Sequence, residues 1–287
     1  MTGLFDSITE WFRALLIAGI TSHFTQMFNL ANDKTNEIAS QVGQTPEGWN
    51  SGIFSLIRTL SQTVVMPIAG MILTFILCYE LIHMIIEKNN MAEFDTFILF
   101  KWIFKTFCAV YILTHTFDII MFIFGLAQSV INGSAGIISG SLDMTMALSD
   151  LDTQLKAMEV GELIGLFIES FFLKFTMNAM SLCVFLIIYG RMIEIYLTIS
   201  VAPIPLSTMA NREWSGMGTN YLRALFAVAF QGFLIMICVA IYAVLLQSIT
   251  AMPNIHTALW GSAAYMILLC FTLFKTGSLA KSLFAAH

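Results

Sequence analysis

Four groups of residues in this chain have the types and spacing that chemistry needs. Arg191 and Glu194 stand one helical turn apart near the end of a long apolar run, FFLKFTMNAMSLCVFLIIYGRMIEIYLTISVAPIPL, from Phe171 to Leu206. Charge inside such a run faces protein or water. The pair therefore holds this segment against its neighbours or lines a passage, or else Arg191 snorkels to headgroups at the membrane surface. Lys105, His115 and Asp118 lie on another apolar run, with His115 and Asp118 three apart on one helical face, a spacing suited to a proton relay. The plainer reading puts Lys105 and Asp118 near opposite interfaces, or pairs the group with another helix. Glu80-x-x-His83, with Glu87 further on, is half of the ligand pattern of a di-metal helix bundle. No second such motif accompanies it, and charged groups belong at the end of a span. The cysteines Cys78, Cys108, Cys183, Cys238 and Cys270 fall one in each apolar run and none in a loop, which points to no disulfide and no zinc site.

The patterns that are missing narrow the function. There is no G-x-x-x-x-G-K-[ST], no G-x-S-x-G and no H-E-x-x-H, and no basic patch large enough to grip nucleic acid. The polar connections are too short for a catalytic domain. The expectation is a chain with no catalytic residues, no cofactor and no metal.

The elements that carry these residues are membrane helices. Of 287 residues, 58% are hydrophobic and 11% charged, against about a quarter charged in a soluble domain. Several apolar runs reach the roughly 20 residues that cross about 30 Å of hydrocarbon, whereas a β-barrel would show short alternating segments. The expected fold class is an all-α polytopic membrane protein with about five transmembrane helices, an N-terminal amphipathic helix and an acidic extracytoplasmic helical loop. Residues 1–60 form the N-terminal amphipathic helix and extracytoplasmic segment. Residues 61–287 form the transmembrane domain, with spans at about 64–86, 102–128, 166–189 (its helix continuing to about 200), 221–247 and 257–274.

Details within these elements follow from local chemistry. Leu4, Phe5, Ile8, Trp11, Phe12, Leu15 and Leu16 repeat at helical spacing opposite Asp6, Glu10 and Arg13, so the first helix lies in the interface or against protein, or inserts as a sixth crossing. The start MTGLFDSITEWFR has acids where a basic signal region would sit, so insertion falls to the internal spans. Residues 32–52 read as a polar loop marked by Pro46 and Gly48, and Pro67 falls in the first turn of span one. Ser149 with Asp152 marks a helix start, with Leu151, Leu155 and Met158 along one face. Pro203 and Pro205 stop the third span, because each lacks an N–H and restricts the residue before it. Residues 207–220 then form a polar connector. Trp11, Trp102 and Trp214 are the expected interface anchors. Lys88, Lys101, Lys105, Arg212, Arg223, Lys275 and Lys281 mark the cytoplasmic side, which leaves the N-terminal segment and the acidic loop outside and the C-terminus inside.

The stretch RMIEIYLTISVAPIPLSTMANREWSGMGTNYLRALFAVAFQGFLI, Arg191 to Ile235, resembles the TrbL family of conjugation proteins, the polytopic membrane subunit of type IV secretion machines. The matching positions are Arg191, Glu194, Ala202, Pro203, Trp214, Gly218 and Tyr221, and the layout of five spans agrees. The resemblance implies a channel or scaffold subunit in the cytoplasmic membrane of a bacterium. It implies a ring-forming homo-oligomer whose partners are other type IV secretion membrane subunits, transfer ATPases, membrane lipids and the transported DNA–protein complex. Small residues on span four, such as Ala224, Ala227 and Gly232, suit close packing with other copies. The competing reading is a small-solute transporter or ion channel built on His115 and Asp118.

Overall fold

A computed structural model describes residues 2–87, 96–138, 145–249 and 254–286, with the side chains of 2–6, Glu87, Thr96, Ile98, 135–150 and Ile249 left aside. Lys88, Asp143 and the turn at 250–253 lie outside the described residues, as do the side chains of Leu4, Phe5, Asp6, Ser149 and Asp150. In order the helices are α1 (Thr2–Val42), α2 (Pro46–Trp49), α3 (Ser51–Leu60), a π-helical turn (Ser61–Val65) and α4 (Met66–Glu87). Then follow α5 (Thr96–Thr114), α6 (Thr116–Ile138), α7 (Thr145–Ala157), α8 (Val160–Ser200), α9 (Pro203–Ser207), a 3-10 turn (Thr208–Ala210), α10 (Ser215–Ile249) and α11 (Ile255–Leu283). The described residues contain no strand. Five helical stretches are long and apolar enough to cross a membrane: Ser51–Ile86, Thr116–Ser134, Val160–Ser200, Ser215–Ser248 and Ile255–Leu283. The protein is an all-α, multi-pass membrane protein.

Three helix boundaries differ from the sequence reading, each for a local reason. Residues 32–42 are not a loop: α1 runs on to Val42, because Ala31, Ile38 and Val42 continue the buried seam of Leu16, Ile20, Phe24 and Met27. Thr45 and Asn50 then cap two further helices, accepting from Gly48 N–H at 3.1 Å and Ile53 N–H at 2.9 Å, so Pro46 and Gly48 belong to one helical turn. Pro67 lies inside a helix that begins at Ser51. The π-helical turn just before it, with Met66 N–H on the Ser61 carbonyl, absorbs the bond that proline cannot make. The expected span at 102–128 is broken at His115. There the Thr114 and Thr116 hydroxyls bond the carbonyls of Val110 and Leu113 at 2.9 and 2.7 Å, back-bonding that disturbs the helical ladder. In addition, α7 starts at Thr145, so Ser149 is inside the helix rather than at its cap.

The chain divides into two compact units, Met1–Val42 with Gly133–Ile188 and Ile235–Lys275, and Gly43–Asn132 with Tyr189–Leu234 and Thr276–His287. In the first, α1 packs along α8: His23 Nδ1 meets the Ser170 hydroxyl at 2.9 Å, and a methyl added at Gly19 would lie 2.6 Å from the Phe167 ring. Burial holds the His23 imidazole below its ordinary pKa, and Lys174 adds to the effect. His256 Nδ1 lies 2.6 Å from Glu169 Oε2, joining the start of α11 to α8. The tip of α1 keeps Ile8, Trp11, Phe12 and Leu15 exposed. Arg13, expected on the polar face, instead caps α7: its guanidinium donates to the carbonyls of Lys156 at 2.5 Å and Met158 at 2.7 Å. Those are carbonyls that the end of a helix leaves without partners.

The second unit has two apolar cores. One joins Phe54, Phe117, Phe124, Ile195, Ile199 and Val228, from α3, α6, α8 and α10. The other joins Ala69, Leu73, Ile76 and Leu77 of α4 to Leu113 of α5 and to Ile204 and Ala210 beyond the end of α8. Arg13→Ala should weaken the docking of α7 by about 1–2 kcal/mol; the check is limited proteolysis in detergent, with faster cleavage between residues 145 and 157.

Candidate functional site at the proline elbow

The polar residues of the second unit converge where α8 ends. Pro203 and Pro205 cannot donate backbone hydrogen bonds, so carbonyls of the last turn of α8 lose their usual partners. Ala202 N–H shifts to the Ile199 carbonyl at 3.2 Å, and Ile204 N–H takes the Val201 carbonyl at 3.1 Å. That leaves the Thr198 carbonyl, which accepts from the Tyr221 hydroxyl of α10 at 3.1 Å. A second tyrosine reaches α2: the Tyr196 hydroxyl donates to the Pro46 carbonyl at 2.7 Å, with the Asn50 carbonyl at 3.3 Å beside it. Trp49 packs its ring edge-on to Tyr189 at 5.3 Å beside this contact.

The elbow itself is covered, not a solvated connector. Pro203, Pro205, Ser207, Thr208 and Asn211 are buried beneath α4 and α5. Their polar groups are satisfied at short range, with Ser207 on the Ile204 carbonyl and Thr208 on the Pro205 carbonyl, both at 2.7 Å. Asn211 Oδ1 accepts from Glu213 N–H, also at 2.7 Å. Gly218 makes the fold-back possible: a Cβ there would stand 2.6 Å from the Pro205 carbonyl oxygen and 2.2 Å from Met209. From Arg212 onward the connector faces outward except at Gly218, with Arg212, Glu213, Trp214, Met217 and Thr219 exposed.

Arg191 and Glu194 stay electrostatic neighbours but hydrogen-bond to different helices. Arg191 is 5% exposed and points into the bundle. One terminal nitrogen, Nη2, donates to the Val228 and Ala229 carbonyls of α10 at 3.4 and 3.5 Å, and Nε has no partner among the described residues. Glu194 instead turns to Lys281 of α11, at 2.9 Å. A third link closes the triangle of helices: Gln231 Nε2 donates to the Thr276 hydroxyl at 3.2 Å, both residues buried. Thus α8–α10, α10–α11 and α8–α11 are each joined by polar contacts here.

The other expected residues are not brought to this site. Lys105 pairs with Glu80 across α4 and α5, and Trp102 beside it donates its indole N–H to the Leu77 carbonyl at 3.3 Å instead of presenting its polar edge outward. Trp11 and Trp214 are exposed. His115 stacks on Tyr111 at 4.1 Å with Nδ1 against the Tyr111 carbonyl, and no hydrogen bond joins it to the exposed Asp118. His83 stacks on Tyr79, away from the Glu80 pair, and the described residues contain no metal-ligand cluster. The sequence reading missed Tyr196, Gln231, Thr276 and the role of Lys281. The available signal was a polar tip or amide isolated in an apolar helix, which in such surroundings must find a protein partner.

A family model described as TrbL/VirB6 plasmid conjugal transfer like protein matches residues 31–203. That range takes in Arg191, Glu194, Ala202 and Pro203 and stops before Trp214, Gly218 and Tyr221. No curated protein and no solved structure matches the chain.

Two variants probe the elbow. Gly218→Ala should cost more than about 2 kcal/mol, since the Pro205 backbone carbonyl as well as the Met209 side chain blocks the added methyl. Tyr221→Phe should cost about 1–2 kcal/mol by stranding the Thr198 carbonyl. Thermal unfolding in detergent micelles should show both below the parent, with Gly218→Ala the lower.

Proposed function

The matched residues make up more than half of the chain, so it belongs to the TrbL/VirB6 family of conjugal transfer proteins, and we propose that it is a channel or scaffold subunit of that transfer machinery. On this reading it resides in a bacterial cytoplasmic membrane, with the N-terminal segment outside and the C-terminus inside, as the distribution of Lys and Arg favours. It acts as a homo-oligomer beside other type IV secretion membrane subunits and the transfer ATPases. The DNA–protein complex is the cargo, and the chain performs no covalent chemistry.

The observation that carries the reading is the family match, which reaches through the buried Arg191 to the first elbow proline. The geometry supports a scaffold in particular. Arg191 Nη2, the Tyr221 hydroxyl and Gln231 Nε2 each donate to a neighbouring helix. A groove for solute would instead leave convergent polar groups facing an opening.

Arg191→Ala should reduce conjugation to background at matched protein level, while Glu213→Ala, on the exposed outer turn, should leave it unchanged. Mating frequency from donors carrying each variant is the measurement. Equal frequencies for the two would remove the elbow from the transfer function. Solute flux through the purified protein in liposomes, lost on Asp118→Asn, would replace the proposal with a transporter.

A further inference from the structure

Three helices of the first unit run the same way. Along α1 and α8 the contacts climb together: Gly19 lies against Phe167, His23 against Ser170, and Ala31 lines one cavity with Met177. Along α11 and α8 they do the same, with His256 on Glu169 and the Cys270 thiol within hydrogen-bonding reach of the Cys183 thiol. Each helix rises by the same amount per residue, so residues 30–40 of α1 are level with about 177–187 of α8 and 264–274 of α11. Those two stretches contain no charged residue and expose Leu182, Leu186, Leu268 and Phe271. Both belong to helices long and apolar enough to cross a membrane, which puts this height in the hydrocarbon.

At that same height α1 reads LANDKTNEIAS, with Asp33, Lys34 and Glu37. One side of it, Ala31 and Ile38, is buried. The opposite side is exposed and polar: Asn29, Asp33, Asn36 and Ser40 follow one another at alternating steps of four and three, which keeps them on one face. Ser22 and Gln26 continue that face towards the start of the helix, into a groove of about 700 Å³ between α1 and the Asp152 and Lys156 side of α7. Amides and carboxylates are not left facing lipid tails. A dry contact with a second copy is no better. Around a symmetry axis Asp33 of each copy meets Asp33 of the next at one height, while Lys34 is held by Glu37.

We propose that α1 crosses the membrane alongside α8 and α11, and that its face from Asn29 to Ser40 borders a water-filled lumen closed by the same face of further copies. Water solvates the amides and Asp33, and the groove beside α7 is the mouth. α1 is then a sixth crossing, too polar to be recognised by hydropathy because one side of it meets water instead of lipid. The inference takes up the channel side of the reading above and rests on its homo-oligomer.

Cysteine accessibility in membranes of cells producing the full-length protein tests it. The probe is a membrane-impermeant, charged methanethiosulfonate, and the parent with its own five cysteines sets the background. The thiolate is the reacting form, and a thiol facing lipid does not ionise. Asn29→Cys, Asp33→Cys, Asn36→Cys and Ser40→Cys should react at least about tenfold faster than Leu186→Cys and Leu268→Cys, which are exposed at the same height on apolar faces. All six positions are exposed, so the substitutions leave the core intact. If the four on α1 react no faster than the two controls, the face is dry and the proposal is overturned. If all six react fast, this height is outside the hydrocarbon and the proposal is overturned as well. The labelling reads the lumen whatever its cargo, whereas mating frequency decides the transfer reading. A wet α1 face in a chain that does not support conjugation keeps the lumen and removes only that reading.

Discussion

In surroundings without water, every backbone group that a helix break releases must be satisfied by the protein itself. The second unit is arranged around that requirement. Proline at 203 and 205 ends α8 and strands a carbonyl at Thr198, and Tyr221 of α10 takes it. At α2 the Tyr196 hydroxyl adds a short bond to the Pro46 carbonyl, which otherwise has only the long bond from Asn50 N–H. Each tyrosine buries a ring as well as a hydroxyl, so one residue both fills space and closes the hydrogen-bond account. Gly218 completes the arrangement, because any side chain there would push α10 off the Pro205 carbonyl and separate Tyr221 from its partner.

The same setting explains why polar contacts, modest in water, matter between α8, α10 and α11. Lipid tails are as apolar as the helix surfaces, so helix association rests on close packing and hydrogen bonds rather than on the hydrophobic effect. Each such bond contributes about 1 kcal/mol. Their value here is also directional: Arg191 against Val228 and Ala229, together with Thr198 against Tyr221, fixes the antiparallel register of α8 and α10 at two levels. Glu194 with Lys281 joins α11 to α8 in the same unit.

These features suit a structural part of a transfer machine. The chain is a multi-pass membrane protein of the TrbL/VirB6 family. Lys105, one of the charged residues that looked like chemistry in the sequence, is used instead to join helices, as are other charged residues. Lys105 is spent on Glu80, Arg13 on the end of α7, and Glu169 on His256.

The sequence by itself determined the class of the protein. Apolar runs of about 20 residues can only be helices that cross lipid, since no other local structure satisfies its own backbone there. It also determined the break after α8, because two missing N–H groups act locally whatever surrounds them. Partners were a different matter. Arg191 and Glu194, neighbours on one helix, went to different helices, and Lys281, which looked like a tail charge, became the mate of Glu194. The polar spelling of residues 32–42 hid Ile38 and Val42, whose value as a seam appears only with the rest of the first unit packed around α1. Composition and missing donors are properties of the chain at each point, so they can be read there. A buried cation or a stranded carbonyl is settled by whichever group tertiary packing brings within 3 to 4 Å, and that proximity is not written at either position alone.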